Sequence, residues 1–436
     1  MSAPLKQVRY DQLGETVHHG SLSDGLPLAL VPKQGFQKRF AVLTVGYGSL
    51  DNRFVPAGAS APRSLPEGIA HFLEHKLFED EAGDVFDQFA RVGASANAYT
   101  SANETAYHFT ASQGFDECLR LLLDFVTDPY FTPEQIEKER KVIAQEIRMY
   151  DDDPDTQAQL NLMRALYHQH PVRIDTAGSL ESIAQIDKSL LELCHRTFYQ
   201  PQNMFLCISG DVDPEQVRAQ LEDDLARRLA ARGGGLPPTA IQRAEVAEPP
   251  EIAADRIEVH MPVALPKALV GYKGAPIADG PGRLQQTLNV YVALELLFGR
   301  SSRFYAEHYA SNLIDPSFSY YYTASRGGYA YALLGGETPD PEALVAAAAA
   351  EVARAQSEGF DPQAVRRIRN KLWGSYLKGF NSVEQLASRE TDAHFEGWSL
   401  SGYVEQLEAL DADAVLGSLH ELFVDERRAV SVVRPV

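Results

Sequence analysis

The sequence predicts a protein of two domains, each mixing helices with strands. Three observations predict it. The chain has 436 residues, enough to build two domains with separate cores. Short alternating segments that read as strands lie among longer amphipathic segments that read as helices. Residues 232–254 hold three glycines and four prolines with little apolar periodicity, and the half after them repeats features of the half before. The expected division is a first domain over 1–231, a linker over 232–254 and a second domain over 255–436.

In chain order, Asp24-Gly25 marks a turn, and 28–31 and 40–47 read as strands joined by a hairpin loop at 32–39. The stretch 52–67 is a loop rich in Pro, Gly and Ala. It leads into a helix at 68–78. Residues 84–92 form an amphipathic helix with Val85, Phe86, Phe89 and Ala90 inward. Strands follow at 95–100 and 105–110, then a helix at 116–125. A strong helix starts at Pro133, with Thr132 as its N-cap and Gln135 completing a capping box. The acidic run 151–155 lacks the Gly and distal Glu of an EF-hand and reads as a solvated helix end. Helices at 157–167 and 188–197 and a strand at 204–208 complete the first half. In the second half, 341–357 and 363–378 are helical, and Tyr320-Tyr321-Tyr322 reads as an alternating strand.

The chemistry concentrates in the helix at 68–78. Its residues from His71 to His75 spell H-x-x-E-H. Positions four apart share a helix face, so His71 and His75 can point at one ion. Two imidazoles at that spacing are half of a tetrahedral zinc site. Glu74 then sits beside the metal, close enough to take a proton from a bound water. The flank of Ile69, Ala70, Phe72, Leu73, Leu77 and Phe78 implies burial, and buried ionisable groups need partners. In the helix from Pro133, Glu139 and Glu146 share a face with Val142, Ile143 and Ile147. Two carboxylates on an otherwise apolar face call for a cation.

These residues carry a family resemblance. H-x-x-E-H, followed by Glu139-Arg140 and Glu146-Ile147-Arg148-Met149, resembles the pitrilysin/insulinase family of zinc peptidases, the inverzincins. Gly48-Ser49, Asn97-Ala98-Tyr99-Thr100, His170-Pro171, Gly178 and the run from Phe198 to Asn203-Met204, followed by Gly210-Asp211-Val212-Asp213, fall where that family has similar residues. The length is similar to its half-size bacterial members. The resemblance implies an α+β fold: two homologous domains, each an antiparallel sheet with packed helices. It implies one Zn2+ per chain, held by His71, His75 and Glu146, with Glu139 supporting the ligands and Glu74 as general base. It implies a zinc-dependent endopeptidase or oligopeptidase. Short or unfolded polypeptides would add as a strand along Asn97, Ala98 and Tyr99.

By the internal repeat, Phe131–Ile136 matches Phe360–Val365, which sets Ile368 against Glu139 and Ser375 against Glu146. Likewise Tyr291, Leu294 and Glu295 stand against His71, Glu74 and His75. Only the first half carries metal chemistry. The second is left for substrate enclosure or dimerisation. The family resemblance also implies that a second half supplies an Arg and, two helical turns on, a Tyr near the substrate carbonyl. Here no Arg occurs between Phe304 and Ser325. The expectation is a dimer, either with a related half-size chain that supplies the Arg/Tyr pair or of two copies of this chain in which the pair is dispensable or replaced, for instance by Arg303 or Arg326. The alternative function is a metal-retaining assembly subunit with little activity alone. A metal-dependent hydrolase of non-peptide amides is a third reading.

Composition narrows the rest. Net charge is −20, against the basic patches that nucleic acid requires. Cys118, Cys194 and Cys207 are too few and scattered for a disulfide framework and read as small buried residues. Residues 1–20 show no apolar secretory core, and no stretch approaches a membrane span, so the expected location is cytoplasmic. His18-His19 and the His168/His170 pair lack a carboxylate at ligand spacing and are assigned surface or packing roles.

Overall fold

The computed structural model describes residues 4–81, 83–232 and 240–436. Part of the expected linker, 233–239, lies outside the described residues. The chain divides into two compact units. The first comprises the chain through Gln145, Thr176–Ala244 and Tyr376–Phe395; the second comprises Glu146–Asp175, Glu245–Ser375 and Glu396–Val436.

The first unit is organised on a seven-stranded sheet. Its strands are β1 (Lys6–Tyr10), β2 (Glu15–Ser21), β3 (Pro27–Pro32), β4 (Arg39–Val45), β9 (Ser95–Thr100), β10 (Thr105–Ala111) and β11 (Met204–Gly210). The order is β1-β2-β3-β11-β4-β10-β9, which leaves β9 at an open edge. Two minor sheets join β5 (Arg53–Val55) with β6 (Arg63–Ser64) and β12 (Gln242–Arg243), and β7 (Glu79–Asp80) with β8 (Gly83–Asp84). The helices are α1 (Ile69–Leu77), α2 (Val85–Arg91), α3 (Phe115–Thr127), most of α4 (Pro133–Asp151), α6 (Leu180–Ile183), α7 (Lys188–Phe198) and α8 (Pro214–Arg232). The strand readings at 28–31 and 40–47 stand, but their hairpin does not. β11 inserts between β3 and β4, parallel to the first and antiparallel to the second. A loop of ordinary hairpin length therefore spans a gap filled by a strand from far along the chain. In α2, Val85 and Phe89 are buried as expected. Ala90 is exposed, and Phe86 lies largely outside, its ring stacked on Phe78 at 4.1 Å.

The second unit carries five strands: β13 (Arg256–Met261), β14 (Lys267–Gly274), β15 (Ser319–Ser325), β16 (Tyr329–Glu337) and β17 (Arg428–Pro435). They run β13-β17-β14-β16-β15. Around them lie α5 (Pro154–Leu166), α9 (Pro281–Phe298), α10 (Arg303–Ala310), α11 (Pro341–Glu358), α12 (Pro362–Gly379), α14 (Leu400–Glu408) and α15 (Ala412–Leu422). α13 (Val383–Glu396) returns to the first unit, where its His394 stacks on Phe205 of β11 at 4.1 Å. Helix α5 lies against β14 and β17. Gly271 makes room for it, since a Cβ there would stand 2.9 Å from Leu162.

The repeat is visible in the topology. β3, β11, β4, β10 and β9 correspond in order and direction to β13, β17, β14, β16 and β15. In both sheets the first pair is parallel and the remaining three are antiparallel. α9 stands where α1 stands, between the third strand and the edge strand. In α9 the residue matched to His75 is Glu295, 5% exposed. Its carboxylate accepts from Lys371 Nζ at 2.5 Å and from the Tyr320 hydroxyl. An internal ammonium thus neutralises it.

The acidic run 151–155 serves the chain itself. Asp153 Oδ2 accepts from Thr156 N at 2.8 Å and from its hydroxyl at 2.6 Å, capping α5. The three cysteines are free and buried.

Candidate active site

Helix α1 begins at Gly68, whose φ of +84° suits glycine. A Cβ there would also stand 2.3 Å from the Ala177 carbonyl oxygen. The Ser182 hydroxyl donates to Glu67 O at 2.8 Å and closes the same junction. The start of α1 is therefore fixed from outside the helix. Ile69, Ala70, Phe72, Leu73 and Leu77 are buried, which turns His71 and His75 to one side. Their rings lie 4.5 Å apart, centroid to centroid.

Thr132 caps α4 with its Oγ1 accepting from Gln135 N at 3.3 Å. Ile136, Ile143 and Ile147 are buried, while Val142, expected on that face, is exposed. The division between the units falls between Gln145 and Glu146, but α4 runs through it unbroken. Glu139 and Glu146 therefore keep a separation of two helical turns on one face.

The structure brings His71, His75 and Glu146 together: one ligand atom from each lies within 4.8 Å of the others. Glu139 Oε1 is 2.9 Å from His75 Nδ1. A carboxylate only accepts, so Nδ1 carries the proton and Nε2 keeps its lone pair for a metal. Tyr150 donates its hydroxyl to Glu146 Oε1 at 2.7 Å. Two imidazoles and one carboxylate, with outer hydrogen bonds on His75 and Glu146, form a donor set that suits zinc.

Glu74 is 8% exposed and lies between the two histidines in sequence. Its Oε2 accepts from the Thr100 hydroxyl at 2.6 Å. Beyond His75, the fully buried Lys76 reaches Glu79 at 2.5 Å, and Lys138 meets the same carboxylate at 3.1 Å. Burial alone would raise the Glu79 pKa; the two ammonium groups outweigh it and hold it below the ordinary value. Behind the site the Tyr107 and Tyr199 hydroxyls meet at 2.7 Å. Burial drives both phenols well above their usual range, so they stay neutral donors.

Asn97, Ala98 and Tyr99 lie on β9, at the open edge of the sheet. The Ala98 N–H meets Asn97 Oδ1 at 2.8 Å. The Tyr99 hydroxyl donates to Glu104 at 3.2 Å. Tyr150 and Lys76 have no role in the sequence reading, and Thr100 enters it only as the last residue of the run Asn97-Ala98-Tyr99-Thr100. Tyr150 stands one helical turn after Glu146, a spacing that could have flagged it. Thr100 has no local signal, because only the sheet register brings it to α1.

A donor set on H-x-x-E-H and a following helix, built on a repeated α+β scaffold, defines the class of zinc hydrolases with an inverted motif. The chain belongs to the insulinase family of peptidases, M16. The family model described as insulinase (peptidase family M16) matches residues 54–179, and that described as peptidase M16 inactive domain matches 185–372. The chain is 41% identical to an uncharacterized zinc protease, YmfH, of Bacillus subtilis, over 99% of both chains. It is similar to the crystal structure of an M16-like peptidase from Alicyclobacillus acidocaldarius, with a TM-score of 0.93 and 35% identity, covering 98% of this chain and 100% of that one. Pitrilysin shares the fold, with a TM-score of 0.73 at 16% identity; the match covers 99% of this chain and 47% of pitrilysin. Among the described residues no helix is long and apolar enough to cross a membrane.

Proposed function

We propose that this chain is a zinc-dependent endopeptidase or oligopeptidase acting on short or unfolded polypeptides. One zinc per chain is held by His71, His75 and Glu146. The observation that carries the reading is the convergence of these three side chains within 4.8 Å, with Glu74 on the same helix between the histidines. Bound there, zinc would lower the pKa of a water and polarise the scissile carbonyl. Glu74 takes the proton from the attacking water and passes it to the leaving amine. Glu139 holds His75 in one tautomer, and Tyr150 holds Glu146. The low exposure of Glu74 keeps bulk water from competing for the proton. Substrate adds to the open edge of β9. It displaces the Asn97 side chain from the Ala98 N–H, and the added main chain then pairs with that donor. Binding of this kind reads extension more than sequence.

The test is peptide turnover by the zinc-loaded chain and by Glu74→Gln. The variant keeps its zinc and loses turnover by about two to four orders of magnitude, as expected when a general base is removed. Retained turnover in Glu74→Gln would refute the mechanism.

A second reading is favoured by one observation. No Arg occurs between Phe304 and Ser325 in the second half. On this reading the chain works as a dimer, with a related half-size chain completing the oxyanion site through an Arg/Tyr pair. At its limit, this chain is the metal-retaining subunit of such a pair, with little activity alone.

A further inference from the structure

Thr100 closes β9, the strand proposed to receive substrate, and its hydroxyl meets Glu74 Oε2 at 2.6 Å. An ionised carboxylate can only accept, so Thr100 donates. The neighbouring hydroxyl of Thr105 is the weaker rival for that proton. Thr105 stands opposite Thr100 in the β9–β10 register and is fully buried. Its Oγ1 donates to the Tyr47 carbonyl at 2.8 Å, which commits its one proton. At 3.4 Å from Thr100 Oγ1 it can therefore only accept, and the Glu74 carboxylate at 2.6 Å is the nearer and stronger acceptor, so the Thr100 proton turns to Glu74.

The turn that carries Thr100 and Thr105 is itself held. Ser101 N donates to Glu104 O at 2.8 Å. Ser49 N and Leu50 N donate to the carbonyls of Ser101 and Ala102, each at 3.0 Å. Gly48 permits that approach, since a Cβ there would stand 2.4 Å from Ala102 O. The Thr100 hydroxyl is thus a fixed point on the sheet, and Glu74 is a side chain anchored to it.

We propose that Thr100 is a positioning residue for peptide hydrolysis: it fixes the carboxylate of Glu74 through one hydrogen bond and ties the base to the strand that receives substrate. The inference rests on the assignment of Glu74 as base. It deepens that assignment by giving the base a fixed orientation with respect to β9. Substrate bound along β9 and the base are then referred to one backbone, so the water, the carbonyl and the carboxylate keep their alignment.

The experiment uses the zinc-loaded full chain and the isosteric Thr100→Val, with Thr100→Ser as the conservative variant and Glu74→Gln as the control. Thr100→Val keeps its zinc content and KM, while kcat falls between about 10-fold and 100-fold, the cost of a misplaced group. Thr100→Ser regains most of kcat. Crystal structures of wild type and Thr100→Val, both prepared without metal, show the Glu74 carboxylate turned from its wild-type position in the variant. If Thr100→Val does not fold, Thr100→Ser against Thr100→Ala gives the same contrast. A wild-type kcat in Thr100→Val beside an inactive Glu74→Gln overturns the positioning role and leaves the base intact. An active Glu74→Gln overturns both. Zinc loss in Thr100→Val, or a failure of Thr100→Ser to recover, makes the residue merely structural and overturns the proposal.

Discussion

Glu139 Oε1 lies 2.9 Å from Nδ1 of His75, on the helix that also carries Glu146. One helix face therefore supplies both a ligand candidate and the group that sets the tautomer of another. This arrangement separates two carboxylates of the same type by role. Glu139→Ala removes the acceptor that holds His75 in one tautomer. Zinc affinity should weaken by about 10- to 100-fold, the usual cost of losing an outer partner. Competition with a chromophoric chelator measures it, and an unchanged affinity removes Glu139 from the site.

Glu146→Gln should have the larger effect. A carboxamide oxygen carries no charge and binds zinc poorly, so one ligand of three is lost. The variant should purify folded and largely free of zinc. Tyr150→Phe, which removes only the hydroxyl on Glu146 Oε1, should keep its zinc with weakened affinity. Full zinc occupancy in Glu146→Gln would give the third ligand to another residue.

Ala98→Pro tests the edge strand. The Ala98 N–H faces Asn97 Oδ1 and is not part of the ladder to β10, so proline is tolerated there as on other sheet edges. Stability should change little while KM for peptides rises. An unchanged KM places the substrate elsewhere.

Glu390 of α13 offers a prediction about pH. It is 3% exposed, and its Oε1 has no hydrogen-bond partner among the described residues. His19 Nε2 stands 4.0 Å away, with Tyr10 and Cys207 also close enough to interact electrostatically. Burial lowers the His19 pKa, helped by Lys6 and His18, so His19 offers no charge at neutral pH. Burial raises Glu390 to about 7. The folded chain thus holds a proton that the unfolded chain releases near the ordinary value of 4.5. The stability that this group contributes is fully present below that value, falls as pH rises towards about 7 and then levels off, a loss of at most about 3 kcal/mol. Glu390→Gln should remove that slope, raising the melting temperature at pH 8 and leaving it nearly unchanged at pH 4. An equal shift at both pH values would show that Glu390 does not titrate in this window.

The sequence was most legible where spacing on one helix decides the matter. His71 and His75 share a turn, Glu139 and Glu146 share a face, and helix geometry alone brings each pair together. The strands at 95–100 and 105–110 were also legible, because alternation marks a half-exposed edge. What lay outside local reading was register and insertion. β11 enters between β3 and β4 from more than a hundred residues away, so the hairpin suggested by 32–39 had no local contradiction. Thr100 reaches Glu74 only because β9 ends beside α1. Helix periodicity likewise placed Val142 inward, but the face of α4 that packs is narrower and leaves it exposed. In the second unit, the pairing of Glu295 with Lys371 and Tyr320 depends on three elements meeting, and no motif announces it.

The last prediction concerns the partner. In the second unit, the position matched to His75 is neutralised internally by Lys371, so this unit offers no second metal centre there. The stretch from Phe304 to Ser325 holds Tyr305, Tyr309, Tyr320, Tyr321 and Tyr322 but no Arg. Developing negative charge on a peptide carbonyl is best met by a cationic donor, and one such donor contributes about 3 kcal/mol to a transition state. If a related half-size chain supplies that donor, the purified chain alone should cleave peptides slowly. Adding the partner should raise kcat by about 100-fold, the equivalent of that energy. The mass in solution should change to that of a mixed dimer. An Arg→Ala substitution in the partner's matching stretch should abolish the gain without preventing assembly. Light scattering and peptide turnover, run on the same samples, read both effects. Full activity by this chain alone, with neither rate nor mass altered by the partner, would overturn the mixed dimer and leave a self-sufficient peptidase.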